Sequence, residues 1–305
     1  MASGDYNATV GGGESNIAGA DHATVGGGKE NQAISGTYTT VAGGWGNTAS
    51  GWSAAIGGGR NNTSSDDATT VSGGYLNTAS DIFATVGGGR RNTASGAYAT
   101  ASGGYSNTVS GLYYATVAGG YGNVASGDYY ATVGGGEANI ASGNHATVPG
   151  GNSAAATHYG EMAYASGSFA HIGDAQTSIY VMRGITDTSG TIELFLDGSG
   201  ERITLPISRT VAFDILITAS AEDGDAASWH IVGLIRRDGF LDPELIGTSP
   251  STPALPAIST VGAGAWEVHV DADGENDALR ILVSSGESST VRWVASVRTA
   301  ETNMP

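Results

Sequence analysis

Ala84-Thr85-Val86-Gly87-Gly88-Gly89-Arg90-Arg91-Asn92-Thr93-Ala94-Ser95-Gly96 is the clearest copy of a unit that fills the first half of the chain. Aligned on Val86, the other copies are anchored at Val10, Val25, Val41, Ile56, Val71, Ala101, Val117, Val133 and Val148, always 15 or 16 residues apart. Gly stands two and three residues after every anchor. Asn stands six after it in each copy but the last, which has Ala154 there. A period this short and regular describes stacked coils, because each unit can bury its apolar face only against its neighbours.

The unit translates directly into local structure. Ala-Thr-Val alternates with period two, so Ala and Val share the inner face of a short strand and Thr takes the outer. Gly-Gly permits positive φ and close backbone approach at a corner. Asn is expected there as a turn former that tolerates the left-handed region, ahead of any role as an ion ligand. Ser95-Gly96 and its counterparts supply a second corner. Each repeat is then one coil of a parallel β-roll or β-solenoid, and about ten coils at the strand spacing make a rod roughly 45–50 Å long. The inward residues are small. One thin face of Ala and Val falls short of the entropy lost in ordering a Gly-rich chain. Neighbouring subunits are therefore expected to complete the core, in a homotrimer.

Composition narrows the class. Of 50 Gly in 305 residues, 35 lie in residues 1–152. Their phase is not the every-third-residue pattern of collagen, and disordered linkers do not hold phase over ten copies. A net charge of −17 argues against nucleic acid or an anionic membrane as partner. The chain has no cysteine, so disulfides and thiolate sites are excluded. No apolar run of about 18 residues is present, so no membrane insertion is expected. The chain enters a repeat part-way, at Ser3-Gly4-Asp5-Tyr6, as expected of a piece of a longer protein.

Over roughly residues 3–172 the pattern resembles the head repeats of trimeric autotransporter adhesins. That resemblance implies a left-handed parallel β-roll in which three chains pack side by side. The repeats here are longer than is usual in that family, and no coiled-coil stalk or membrane anchor follows. Residues 153–176 lose the double Gly and read as a neck. Residues 177–305 read as an antiparallel β-sandwich of jelly-roll type. Its expected strands are Ser178–Ile185, Thr191–Leu196, Arg202–Pro206, Thr210–Ala219, Trp229–Arg236, Trp266–Asp271, Leu279–Ser284 and Val291–Thr299. Trp229, Trp266 and Trp293 fall on inward faces and are assigned to the core. The stretches Thr177–Arg183 and Val291–Ala295 make this half similar to C-terminal domains of phage tail fibres.

Two variable columns of the repeat carry large exposed side chains. Four residues after the anchor stand Trp45, Tyr75, Tyr105 and Tyr121, in phase with Glu14, Lys29, Arg60, Arg90 and Glu137. Three before it stand Tyr38, Phe83, Tyr98, Tyr114 and Tyr130, in phase with His22 and His145. Such rings stack on sugars or anchor a protein partner, or else form ladders that brace adjacent coils. In the second half, Asp271, Asp273 and Asp277 have the spacing of a calcium loop without its full twelve-residue pattern, and a solvated hairpin is the competing reading. No other cofactor or metal is expected. No nucleophile elbow occurs, no His pair has metal-ligand spacing, and no carboxylate pair can be named, so an enzyme is not expected. The expected function is an adhesive fibre, extracellular on a virion or cell surface, engaging a cell-surface glycan or protein receptor. The leading source is a phage or virus-like tail fibre. A bacterial surface adhesin and a glycan-degrading tailspike are the alternatives.

Overall fold

The computed structural model describes all residues except 5, 188–189, 261, 287–289 and 304–305, so part of the opening Ser3–Tyr6 stretch lies outside the described residues. Among the described residues the protein is all-β, apart from a 3-10 turn at Gly262–Ala265, and no helix is long and apolar enough to cross a membrane. It divides into two compact units, Met1–Ala155 and Ala156–Pro305.

The first unit is a parallel β-solenoid belonging to a run of about 11 turns. Each coil contributes two strands of two residues, such as Thr85–Val86 and Thr93–Ala94. Each strand lies parallel and in register with its counterparts in the coils on either side. Thr85 faces Thr70 and Thr100, and Thr93 faces Thr78 and Thr108. Repetition in sequence therefore becomes columns of like residues in space.

Inside the coil sit Ala84, Val86, Asn92 and Ala94, all fully buried. This corrects the expectation that neighbouring subunits are needed to bury the anchors. Each coil folds two strand faces toward one another and closes its interior with an asparagine, so one chain suffices. The asparagines are not the turn residues they were expected to be. The left-handed backbone falls on the preceding position, at Leu76 (φ 57°), Arg91 (φ 56°) and Ser106 (φ 56°). Asn92 Nδ2 donates to the carbonyls of Gly88 (2.8 Å) and Gly104 (3.0 Å), and its Oδ1 accepts from the backbone N–H of Asn107 (3.0 Å). The same three bonds recur from coil to coil and form a buried polar ladder. A corner leaves backbone groups unpaired, and buried backbone groups must find partners. The glycine three after the anchor is required by close approach. Gly89 has φ +82°, and a Cβ there would lie 2.2 Å from the carbonyl oxygen of Gly104.

The 16-residue coils take up their extra residue at the second corner. Ser95-Gly96-Ala97-Tyr98 links Ala94 to Ala99 in four residues, whereas Ser110-Gly111-Leu112-Tyr113-Tyr114 links Val109 to Ala115 in five. Register is unbroken on both sides, with Ala94 opposite Val109 and Thr100 opposite Thr116.

The second unit is antiparallel. Its strands are β1 (Met162–Ser166), β2 (Ala175–Thr186), β3 (Thr191–Glu193), β4 (Ile203–Thr204), β5 (Arg209–Ala221), β6 (Ala226–Arg237), β7 (Glu244–Ser249), β8 (Ile258–Ser259), β9 (Glu267–Asp273), β10 (Ala278–Ser284) and β11 (Val291–Asn303). One sheet runs β1-β2-β11-β5-β6-β7, with β8 also on β6. The other runs β3-β10-β4, with β9 on β10. The eight expected strands are all present. β1, β7 and β8 are additional. Trp229, Trp266 and Trp293 meet at the centre, with ring centroids 5.4 Å apart for Trp229–Trp293 and 5.6 Å for Trp266–Trp293. Burying about 150–250 Å² each, they supply much of the apolar burial that holds this core.

Candidate functional site

The expected surface residues assemble into two rows on the solenoid. In the first, the residues four after the anchor pair by parallel bridges from Glu14 through Lys29, Trp45, Arg60, Tyr75, Arg90, Tyr105 and Tyr121 to Glu137. Their side chains stack along the coil axis. The Arg60 guanidinium lies 4.0 Å from the Trp45 ring centroid and 5.6 Å from that of Tyr75. Arg90 lies 5.4 Å from both Tyr75 and Tyr105. Tyr105 and Tyr121 stack at 5.3 Å with planes 6° apart. Lys29 is paired with Glu14 at 3.1 Å and with Glu30 at 3.8 Å, and Trp45 Nε1 donates to Glu30 at 3.0 Å. The Glu14 bond and charge raise the Lys29 ammonium above its ordinary value. A bond from Ser106 and one from Arg91 lower the Tyr105 phenol.

The second row occupies the other corner. Phe83, Tyr98, Tyr114, Tyr130 and His145 stack at 5.0, 4.7, 5.3 and 5.3 Å. His22 stacks on Tyr38 at 4.9 Å, and Tyr38 meets Trp52 edge-on. Between Tyr38 and Phe83 the row is interrupted by Ser53 and Ala68. Every member from His22 to His145 has a left-handed backbone, from φ 53° at Ala68 to φ 62° at Tyr38. For a bulky residue that costs about 1–2 kcal/mol. The compensation is visible: Tyr98 N–H donates to the Ile82 carbonyl at 2.9 Å, the ring stacks on both neighbours, and the same geometry recurs along the row. Ring faces in both rows are turned toward one another, so ring edges meet solvent. Whole faces are free only where a row stops. Trp52, Tyr113 and Tyr129 also belong here. They were missed because they stand one position earlier in the repeat, at the corner whose length varies. In the interruption, exposed Asp67 accepts from Trp52 N–H at 3.2 Å. Asp66 and Asp81, both partly exposed, each accept from the N–H of the next residue at 2.7 Å.

The aspartates of the proposed calcium loop are not brought together. Asp271 makes a two-pronged pair with Arg280 at 2.8 Å, Asp273 accepts from Asn276 Nδ2 at 2.7 Å, and Asp277 pairs with Arg237 at 2.7 Å. Among the described residues no group of three acidic, His or Cys side chains could hold a metal ion.

A polar cluster that the sequence did not suggest lies inside the second unit. Glu161 accepts from Ser178 Oγ (2.6 Å) and Tyr180 OH (3.1 Å) and pairs with His158 Nδ1 (2.9 Å). Tyr180 also reaches Glu301, which accepts from Thr299 and faces Arg209 at 3.5 Å. Burial opposes charge on Glu161, but the bond and charge of His158 outweigh it and lower the carboxyl. Burial and then the Glu161 charge raise Glu301. Burial opposes charge on His158 too, yet Glu161 raises it overall. The cavity beside these groups encloses about 10 Å³, room for a single water and too little for a sugar ring. The cluster is a packing element that joins Thr157–Glu161 to β2 and β11.

No family model matches the sequence, and no curated protein matches it. Among the solved structures similar to this chain is the tailspike protein gp49 of Acinetobacter baumannii bacteriophage Fri1, a capsular polysaccharide depolymerase. It is 8% identical with a TM-score of 0.27, over 98% of this chain and 60% of its own. Another is the tailspike protein of Acinetobacter phage vB_ApiP_P1, 8% identical with a TM-score of 0.19, over 95% of this chain and 74% of its own. This chain thus spans less than two thirds of the first structure. The expectation that the chain is not an enzyme is corrected by this comparison, because the first of these structures is an enzyme. The missing motif was poor ground for that expectation. Glycan hydrolysis needs two carboxyl groups placed by the fold, and such a pair has no fixed spacing in sequence.

Proposed function

We propose that this chain is a polysaccharide-engaging fibre protein of the phage-tail type, displayed on a virion surface and acting as a homotrimer. The observation that carries the reading is the pair of in-register rows on the solenoid. A linear array of rings and polar groups repeating at the strand spacing matches a linear polymer of sugars, and many weak contacts along one rod sum to avidity. A trimer is supported by the outer face of the larger sheet, where Val181, Ile185, Leu216, Val232 and Val294 are exposed on adjacent strands. They alternate with Arg183, Asp214, His230 and Ser296 on the same face, and a mixed apolar and polar surface of this kind suits an interface between folded subunits. Cleavage of the bound polymer is the second reading. It is favoured by Asp66, Asp67 and Asp81, which line a break in an aromatic row where ring faces are open. The test is incubation of the whole chain with a panel of bacterial capsular polysaccharides, following both retention of polymer and release of reducing ends. Retention alone assigns attachment, and retention with product release assigns degradation. Neither, from a chain shown by light scattering to be assembled and folded, refutes the proposal.

A further inference from the structure

We infer that the row from Lys29 to Tyr121 binds an anionic polysaccharide that carries a carboxylate on alternate sugars. This rests on the glycan-engaging reading and specifies its ligand. The chain has a net charge of −17, yet the only basic residues of its first 152, Lys29, Arg60, Arg90 and Arg91, all lie in this row or directly beside it. The corner does not need them, since Glu14, Trp45, Tyr75, Tyr105, Tyr121 and Glu137 occupy the same repeat position with the same bridge pairing. Lys29 is neutralised by Glu14 and Glu30. Arg60 and Arg90 make no ion pair among the described residues, so the field of two guanidinium groups is left for solvent or a ligand.

Their packing determines how they can be used. Arg60 is held between Trp45 and Tyr75, and Arg90 between Tyr75 and Tyr105. A planar cation whose two faces are covered by rings presents its N–H rim, which is the geometry for a two-pronged bond to a carboxylate. The stacking also fixes the side chains in advance, which reduces the entropy lost on binding. Arg60 and Arg90 are two coils apart, roughly 10 Å at the strand spacing. That is the rise of about one disaccharide in an extended polysaccharide. A polymer with one uronic acid per disaccharide would place successive carboxylates on successive arginines and its intervening neutral sugar at Tyr75. A nucleic acid strand fits poorly, because its charges recur about every 3.4 Å along the axis, far closer than the spacing of the two arginines.

The experiment is calorimetric titration of the whole chain with hyaluronan (a carboxylate on alternate sugars), polygalacturonate (on every sugar), neutral dextran and duplex DNA, at low and moderate salt. We expect hyaluronan to bind most tightly, with an affinity that falls as salt rises. We expect the double variant Arg60→Gln, Arg90→Gln to lose about tenfold or more, in line with two charge-assisted contacts removed. Near-ultraviolet dichroism establishes that the variant is folded, and the salt dependence of the unmodified chain gives a readout that needs no variant. Undiminished binding by the double variant, equal binding of dextran, or tighter binding of DNA overturns this inference. Dextran binding that is indifferent to the variant leaves the polysaccharide reading standing. Binding of no polysaccharide, including the capsular panel, overturns both.

Discussion

The solenoid and the C-terminal unit solve the same burial problem with opposite means. The solenoid uses small residues and a polar filler: in the Val86 coil two alanines, a valine and an asparagine bury completely, other coils substituting residues such as Thr39, Ile56, Ser64, Ala101 and Val109, and strands of two residues pair only with the coils before and after. The C-terminal unit uses large residues and long reach. Its β5 and β11 strands are 13 residues each, β2 pairs with β11 from Ala175–Thr302 to Thr186–Val291, and three tryptophans meet at its centre. One unit is held by backbone geometry repeated many times, the other by side-chain bulk assembled once. Damage should therefore spread differently in each.

The largest effect is expected in the unit assembled once. Trp293→Ala removes the ring that contacts both other tryptophans and should cost about 3–5 kcal/mol, read as loss of tryptophan near-ultraviolet dichroism while the solenoid's far-ultraviolet signal persists. Loss of both signals together would break the comparison, since it would mean the two units melt as one. Next comes Asn92→Ala. It leaves the Gly88 carbonyl and the Asn107 N–H of the buried ladder without partners, at about 1–3 kcal/mol each if solvent cannot reach them, while the Gly104 carbonyl keeps the Arg90 N–H. Hydrogen exchange should then accelerate around coils 77–107 and little elsewhere, whereas uniform acceleration would show a solenoid more cooperative than nearest-neighbour pairing allows.

A smaller and pH-dependent effect is expected at His158. Its folded value is raised, so its contribution is complete below its ordinary value of 6.5 and is lost as pH rises through the raised folded value. Melting temperatures of the unmodified chain and of His158→Gln should differ at pH 6 and converge in alkali. A difference that persists unchanged to pH 9 would show that the imidazole matters through packing alone. The smallest effect is expected from removing a whole coil. Deleting residues 72–86 joins Val71 to Gly87 and preserves every column, so the chain should still fold with a single solenoid transition by circular dichroism. Failure to fold would mean that individual coils carry information beyond the repeat.

The same contrast explains what could be read from sequence. The repeat positions of Val86, Gly89 and Ser95-Gly96 fix strand, corner and corner, because each has a local conformational reason. The alternation of Val211, Phe213, Ile215 and Ile217 placed β5, and the inward Trp phases placed the core. The role of Asn92 was not legible. Turn propensity and a buried ladder favour the same residue, and only the path of the neighbouring coils shows which operates. The left-handed Tyr98 and Tyr114 contradict local preference and are stabilised by contacts one coil away. The Glu161–Tyr180–Glu301 cluster joins residues up to 140 positions apart, with no spacing to announce it. Both rows were legible as columns of side chains, with a ladder and an exposed sugar platform as alternatives, because ring orientation follows from coil spacing rather than from residue identity.

The five-residue corner at Ser110–Tyr114 has a consequence for how such a surface can change. Extra length enters at one edge of the coil and is absorbed before the next strand begins, so neither neighbour is displaced. The edge is in effect a line of sockets, each open to the splicing in of new peptide independently of the others. A lineage could revise what the rod touches one coil at a time while its frame stays constant, and a designer could graft recognition loops along the same line.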